Sequence, residues 1–283
     1  MSAPTIEDLI GGIPSSLGSH APVLEEIEAA LKSPECSLVA LGEAVEKDPD
    51  LTARLLRLGN SSFYGFSSRL ATVTEAISLI GIQQVQDLIL ASSIVEQFAG
   101  LSDDFVNMES FWRHSLACGI GSRWLAMELR LPKPDKFFVA GLLHDVGRLV
   151  LFAEAPDLAK QIFQTYQQNR LVLQEAEVRV LGYDHQHVGE ALLRHWKYPE
   201  NLVQAVAYHH FPISRGTVQV EAAVVHLSDH VVNAMQLGSS GERFVPPLNA
   251  RAWDQLRLPL DVLPSLVAHI DEQIQAVQSV FLK

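Results

Sequence analysis

Gly141-Leu142-Leu143-His144-Asp145-Val146-Gly147-Arg148 is an apolar run broken by an adjacent histidine and carboxylate and followed by a glycine and a cation. A histidine and an aspartate have no reason to enter a buried helix unless something compensates their burial. The usual compensation is a metal ion or a hydrogen-bonded partner, and metal is the sharper reading. Helical neighbours point about 100° apart, so His144 and Asp145 would grip an ion from two flanks and need ligands from other helices. The chain offers them: most of its 11 histidines fall between His114 and His230, and the inventory runs His114, His144-Asp145, His185, His209-His210, Asp229. Plainer readings compete. His114, after Trp112 on an apolar helix, would by itself be a satisfied core histidine, and His209-His210 at a helix end would favour the negative end of the dipole. Asp229 follows the apolar stretch Ala222 to Leu227, where an unpaired carboxylate is costly. His187, His195, His226 and His230 are read as structural or exposed, and His20 and His269 as surface residues.

Around this stretch nearly every segment carries helical periodicity. Val23 to Leu31, Leu38 to Glu46, Leu51 to Leu58, Val73 to Ile80 and Gln83 to Phe98 have apolar residues at three- and four-residue spacing. Pro34, Asp48-Pro49 and Gly59-Asn60-Ser61-Ser62 break them, and Ser37 and Thr72 are placed to cap the helices that begin just after them. Further helices are expected near 109 to 129, 136 to 153, 157 to 168, 172 to 181, 186 to 195, 199 to 210 and 218 to 236. A Gly/Ser- and Pro-rich loop over Gly238 to Pro247 precedes two more, at 250 to 256 and 260 to 281. The pattern predicts an all-α multi-helix bundle: an N-terminal lobe over 1–100, a second lobe over 101–240 carrying the ligand candidates, and C-terminal loop and helices over 241–283.

Composition narrows function. With 21 basic and 33 acidic residues the formal net charge is −12, a field that repels a phosphate backbone and argues against nucleic acid as partner. Small phosphorylated ligands stay open, because a bound divalent ion reverses the local potential. No apolar run approaches the roughly 18 residues of a membrane span, and the start of the chain lacks signal-peptide character, so no membrane and a cytoplasmic location are expected. Cys36 and Cys118 lack Cys-x-x-Cys spacing and are read as ordinary reduced cysteines. Asn60 to Gly65 is read as a turn docked by Phe63 and Tyr64, and Trp112, Trp124, Trp196 and Trp253 as core.

The order His, His-Asp, His, His-His, Asp over about 115 residues resembles the ligand pattern of the HD superfamily of phosphohydrolases. Each position carries a similar setting: Phe111-Trp112-Arg113-His114-Ser115, Gly141 to Arg148, and His185-Gln186-His187-Val188-Gly189. Upstream, Asp48 to Leu56, Asn60 to Gly65 and Glu75 to Gly81 look like signature segments of the HDOD domain, a bacterial signalling relative; together the likeness spans roughly 13 to 235. It implies a first metal position at His114, His144, Asp145 and Asp229, and a second from His185, His209 and His210, with Asp145 able to bridge. Iron, manganese, zinc or nickel would suit such ligands.

The resemblance implies two candidate functions. One is an HDOD signalling output module with one or two divalent ions, receiving its input from other signalling proteins and acting through protein or ligand contacts. The other is a metal-dependent phosphohydrolase acting on a nucleotide or cyclic dinucleotide, with Asp145 and Arg148 as catalytic residues and two ions about 3.5–4 Å apart activating the attacking oxygen. Arg148 stands where many catalytic relatives have lysine, replacing a point donor with a planar fork. The segment after His209-His210, Phe211-Pro212-Ile213, lacks the Glu and Gly-Tyr-Pro of cyclic di-GMP phosphodiesterases. Both departures favour the signalling module. A homodimer is compatible with the acidic surface.

Overall fold

The computed structural model describes residues 3–14, 21–33, 37–214 and 216–282; Pro34, Cys36 and His20 lie outside them. In chain order the helices are α1 (Ile6–Gly11), α2 (Ala21–Lys32), α3 (Leu38–Glu46), α4 (Pro49–Gly59), α5 (Val73–Ile80), α6 (Ile82–Gln97), α7 (Met108–Glu128) and α8 (Asp135–Leu143). They continue as α9 (Val146–Glu154), α10 (Pro156–Asn169), α11 (Leu173–Leu181), α12 (His185–His195) and α13 (Glu200–Ala207). A hairpin of β1 (Ile213–Ser214) and β2 (Thr217–Val218) precedes α14 (Val220–Met235), α15 (Ala250–Leu256) and α16 (Val262–Phe281). The fold is all-α apart from that two-residue ladder. Among the described residues no single helix is long and apolar enough to cross a membrane.

The chain divides into two compact units. One joins the N-terminal segment, with α1, to Gly100–Ile270; the other joins the segment ending at Ala99 to the C-terminal segment from Asp271. These boundaries depart from the lobes drawn from sequence, for physical reasons at each end. The Tyr183 hydroxyl donates to the Pro4 carbonyl at 2.8 Å and the Trp196 indole to the Pro14 carbonyl at 3.0 Å, tying the N-terminal segment to the larger unit. At the other end, Ser62 donates to the Gln273 side chain at 2.7 Å within the smaller unit.

In the smaller unit the caps form where the residue types demand them. The Ser37 hydroxyl accepts from the Ala40 amide, the Asp48 carboxylate accepts from Leu51 with Pro49 opening the helix, and Thr72 and Glu75 form a reciprocal capping box. Asn60 holds the turn after α4 by donating to the Leu56 and Leu70 carbonyls and accepting from the Leu70 amide. Phe63 is buried there beside Tyr64. The core is aliphatic: Ile27, Val45, Ile77, Val85 and Ile89.

The larger unit is organised around α7, whose Leu116, Ala117, Cys118 and Ile120 are fully buried. Helix α8 lies close against it because Gly141 has no side chain: a Cβ there would stand 2.5 Å from the Cys118 carbonyl oxygen. The single helix expected over 136 to 153 is two helices. His144 and Asp145 occupy the break, with Asp145 at φ −99° and ψ 9° and the Arg148 amide bonded back to its carbonyl at 2.9 Å. Helix α13 likewise ends at Ala207, leaving His209-His210 in a turn, and the hairpin takes the first residues of the helix expected from 218. Trp112 and Trp196 are buried, whereas Trp124 and Trp253 are only half-buried.

A candidate metal centre

Five elements of the larger unit converge on one buried volume. Helix α7 contributes His114 and, one turn on, Cys118; the α8–α9 break contributes His144 and Asp145; α12 opens on His185; the turn after α13 supplies His209 and His210; and α14 carries Asp229. Close backbone packing fixes part of this convergence. Gly147, two residues past Asp145, lies against the His185 carbonyl oxygen and the Gly189 amide, where a Cβ would collide.

All seven ligand candidates named from sequence are brought together, in two groups joined by the His144-Asp145 pair. The first is His114, Cys118, His144 and Asp229; the second is Asp145, His185, His209 and His210. Within each group one donor atom per residue lies within 4.8 Å of the others. In the first, Asp229 Oδ1 is 3.1 Å from His114 Nε2 and 3.6 Å from His144 Nε2. In the second, Asp145 Oδ1 is 3.0 Å from His185 Nε2 and 3.7 Å from His209 Nε2. Asp145 Oδ2 faces back to His144 Nε2 at 3.2 Å, so one carboxylate spans both groups. His210 is half-buried; the other candidates are buried.

The chemistry of these donors fits a cation. Nδ1 of His144 donates to the Gly141 carbonyl at 2.7 Å, and Nδ1 of His209 to the Val206 carbonyl at 2.8 Å. Since a carbonyl only accepts, both Nδ1 atoms carry a proton, and in the neutral imidazoles it is the Nε2 atoms that present lone pairs. His185 Nδ1 donates to the Glu177 carboxylate, the kind of support that orients ligating imidazoles. His185 Nε2 then stands 3.2 Å from His209 Nε2 and 3.0 Å from Asp145 Oδ1, so a proton or a cation held at that nitrogen faces an acceptor on either side. The Nε2 of His144 and Oδ1 of Asp145 are buried without a hydrogen-bond partner.

Charge tells the same story. Burial alone would lower His144, but Asp145 and Asp229 raise it to about 10; burial and Arg148 lower His185, yet Glu177 and Asp145 bring it to about 9. Burial raises the Asp145 carboxyl, but Arg148 and His144 hold it well below the usual carboxylate range. Burial, His144 and His185 depress His209 to about 3, and burial and His209 push His210 down as well. The pocket therefore retains added positive charge well above neutral pH, as imidazolium or as a cation in its place.

Arg148, expected at a phosphate, is engaged inside the protein. Its Nε donates to Glu177 at 3.0 Å, and its Nη1 donates to Asp145 at 2.9 Å and to Ser240 at 2.6 Å; the residue is 2% exposed. Ser240 belongs to the Gly238–Glu242 loop. Gly238 (φ +76°) leaves the space in which a Cβ would stand 2.4 Å from the Ser110 carbonyl oxygen, the Ser239 amide donates to the Ser110 carbonyl at 3.1 Å, and the Glu242 carboxylate receives the Tyr166 hydroxyl at 2.8 Å and the Leu173 amide at 2.6 Å.

Three participants escaped the sequence reading. Cys118 carried a usable signal, its i,i+4 spacing from His114. Glu177 had only a weak one, a carboxylate between the buried Ala176 and the last turn of α11. Ser240, in a Gly/Ser-rich stretch, had none.

The HDOD domain family matches residues 17–212. An uncharacterized protein of Treponema pallidum (strain Nichols) is 24% identical over 213 residues, covering 74% of this chain and 39% of that protein, so the chain spans about two fifths of the length of that curated relative. Among solved structures, an HDOD domain protein of unknown function from Geobacter sulfurreducens aligns with a TM-score of 0.74 at 23% identity, over 98% of this chain and 97% of that one. Two structures from Shewanella amazonensis SB2B align similarly. One, provisionally named a phosphohydrolase, has a TM-score of 0.71 at 20% identity over 98% and 97%. The other, provisionally named a metal-dependent phosphohydrolase, has 0.65 at 16% over 98% and 99%. At these identities the likeness is one of fold.

Proposed function

The chain belongs to the HDOD family, and from that premise we propose that it is a signalling module whose larger unit holds one or two divalent transition metals in a buried centre. It would take its input from other signalling proteins and pass it on through protein or ligand contacts. The observation that carries this reading over catalysis is the fate of Arg148: the cation that would grip a phosphate is 2% exposed and bonded to Glu177, Asp145 and Ser240. His114, His144, Asp145 and Asp229 would hold one ion, and Asp145, His185, His209 and His210 a second. Bound there, such ions would supply Lewis acidity and structural cross-linking between helices distant in sequence.

One observation favours the second reading, a phosphohydrolase acting on a nucleotide or cyclic dinucleotide. The half-buried His210, a member of the second group, lines a cavity of about 170 Å³ with Phe211, His226, Pro246 and Pro247. Its volume is below the roughly 300 Å³ at which small-molecule sites begin, so a nucleotide would enter it only in part. The deciding experiment is elemental analysis of protein purified without added metal, beside His144→Ala/Asp145→Ala, with turnover of a chromogenic phosphodiester and a panel of nucleotides measured on the same samples. Metal at one to two ions per chain, lost in the variant, with no turnover above the metal-ion blank is the expected result. Turnover that disappears with the metal would replace the module by the hydrolase; metal below about a tenth of an equivalent after reconstitution would remove both metal readings.

A further inference from the structure

We propose that Cys118 is a ligand of the first metal position, giving that ion one thiolate, the His114 and His144 imidazoles and the Asp229 carboxylate, and leaving Asp145 to the second position. This rests on the reading that the pocket holds a cation, and adds to it a donor that changes which cation is held. A buried cysteine is by itself ordinary. Here, however, the thiol stands inside a donor set: Sγ is 3.6 Å from His114 Nε2 and 3.9 Å from Asp229 Oδ1, and all four donor atoms, including His144 Nε2, lie within 4.8 Å of one another. A tetrahedral ion with bonds of about 2.0–2.1 Å to nitrogen or oxygen and about 2.3 Å to sulfur has edges of roughly 3.3 Å between nitrogen and oxygen and roughly 3.6 Å between nitrogen and sulfur. The measured separations of 3.1, 3.6, 3.6 and 3.9 Å match those edges within a few tenths of an ångström. Independently of the thiol, the Nε2 of His144, 1% exposed, lacks a hydrogen-bond partner, and its Nδ1 is committed to Gly141. A cation among these four atoms gives His144 its missing partner and reaches the thiol in the same place.

The consequence is selectivity. Histidine and carboxylate alone do not choose among iron, manganese, zinc and nickel, whereas a thiolate favours softer ions such as zinc over manganese or magnesium. On binding, the S–H proton passes to solvent and the metal–sulfur bond forms in its place, with no redox change.

Cobalt(II) is the probe. The full chain is kept reduced, stripped with a chelator, reloaded with cobalt(II), and its absorption and metal content are recorded beside Cys36→Ser, Cys118→Ser and Cys118→Ala. The expected result is a near-ultraviolet thiolate-to-cobalt charge-transfer band in the parent, kept in Cys36→Ser and lost in both Cys118 variants while they still bind cobalt. The zinc-to-manganese affinity ratio should also fall on the order of tenfold in Cys118→Ser. If the Cys118 variants do not fold, retention of the band in Cys36→Ser assigns it to Cys118, the only other cysteine. Stoichiometric cobalt without the band in the parent overturns the thiolate ligand and leaves the metal centre standing. A band lost in Cys36→Ser also overturns it. Failure of the parent to bind cobalt at all removes the metal reading and this one with it.

Discussion

Glu177→Gln is the most informative single substitution, because it keeps the shape of a buried residue while removing one charge and one acceptor. The carboxylate takes three donors: Arg148 Nε at 3.0 Å on one oxygen, and the His185 amide at 3.0 Å and His185 Nδ1 at 2.5 Å on the other. Burial raises Glu177, but His185 and Arg148 outweigh it and keep the group ionised. A glutamine can turn its oxygen toward His185 or toward Arg148, not both, so its amide nitrogen must face an N–H donor. Losing a charge-assisted bond costs about 1.5–3 kcal/mol and stranding a buried donor about 1–3 more, which together place the destabilisation at about 3–5 kcal/mol. His185 also loses the partner that fixes its ring, so metal affinity should fall about 10- to 100-fold. Urea unfolding of the metal-free proteins reads the first quantity, and competition with a chromophoric chelator reads the second. A variant within about 0.5 kcal/mol of the parent, the scatter of surface substitutions, whose metal affinity is also unchanged within twofold, would refute the idea that Glu177 organises the centre.

Gly147→Ala places a methyl against the His185 carbonyl; overpacking of this kind costs about 1–3 kcal/mol, and the variant should lose metal as well as stability, measured by urea unfolding and elemental analysis. His226, whose Nδ1 donates to the His209 carbonyl and whose Nε2 accepts from the Asn249 amide, is held to about 4 by burial and then by His230. The unfolded chain then binds the extra proton between about 6.5 and 4, so stability falls as pH drops through that window, by about 3 kcal/mol in all. His226→Gln should flatten the urea profile there, and parallel profiles would remove the assignment. Thr72→Ala, which deletes one half of the capping box on α5, should cost about 1 kcal/mol without changing metal content. Chelation of the purified protein should lower the urea midpoint in the parent and leave that of His144→Ala/Asp145→Ala in place; equal shifts would mean that the chelator acts elsewhere.

Much of this molecule was legible in its residues, because helical periodicity and capping are local. Ser37 and Thr72 cap where their chemistry directs, and His114, His144, Asp145, His185, His209, His210 and Asp229 lie in two groups of neighbouring donor atoms. What escaped the sequence depends on contacts between distant segments. The helix break at His144-Asp145 hides in a segment whose apolar residues continue on both sides of the pair, since nothing local distinguishes a helix interior from a tight turn held by an Arg148 amide. Arg148 itself illustrates the limit: its charge is readable, but whether it faces a ligand or Glu177 is decided by α11. The unit boundaries were missed likewise, because the N-terminal segment is claimed by Tyr183 and Trp196, more than 150 residues away along the chain.

Gly238-Ser239-Ser240-Gly241 is the composition a protein engineer would choose for a joint, and a reporter insertion, a split site or new termini for circular permutation would be tried there first. The bonds of this run argue for the opposite outcome. In five residues it is fastened to the first turns of α7, to Arg148 and, through Glu242, to Tyr166 and the start of α11. A cut would release four helices from one another, and the Ser239 amide proton, bonded to the Ser110 carbonyl, should exchange with the slow rate of a core helix.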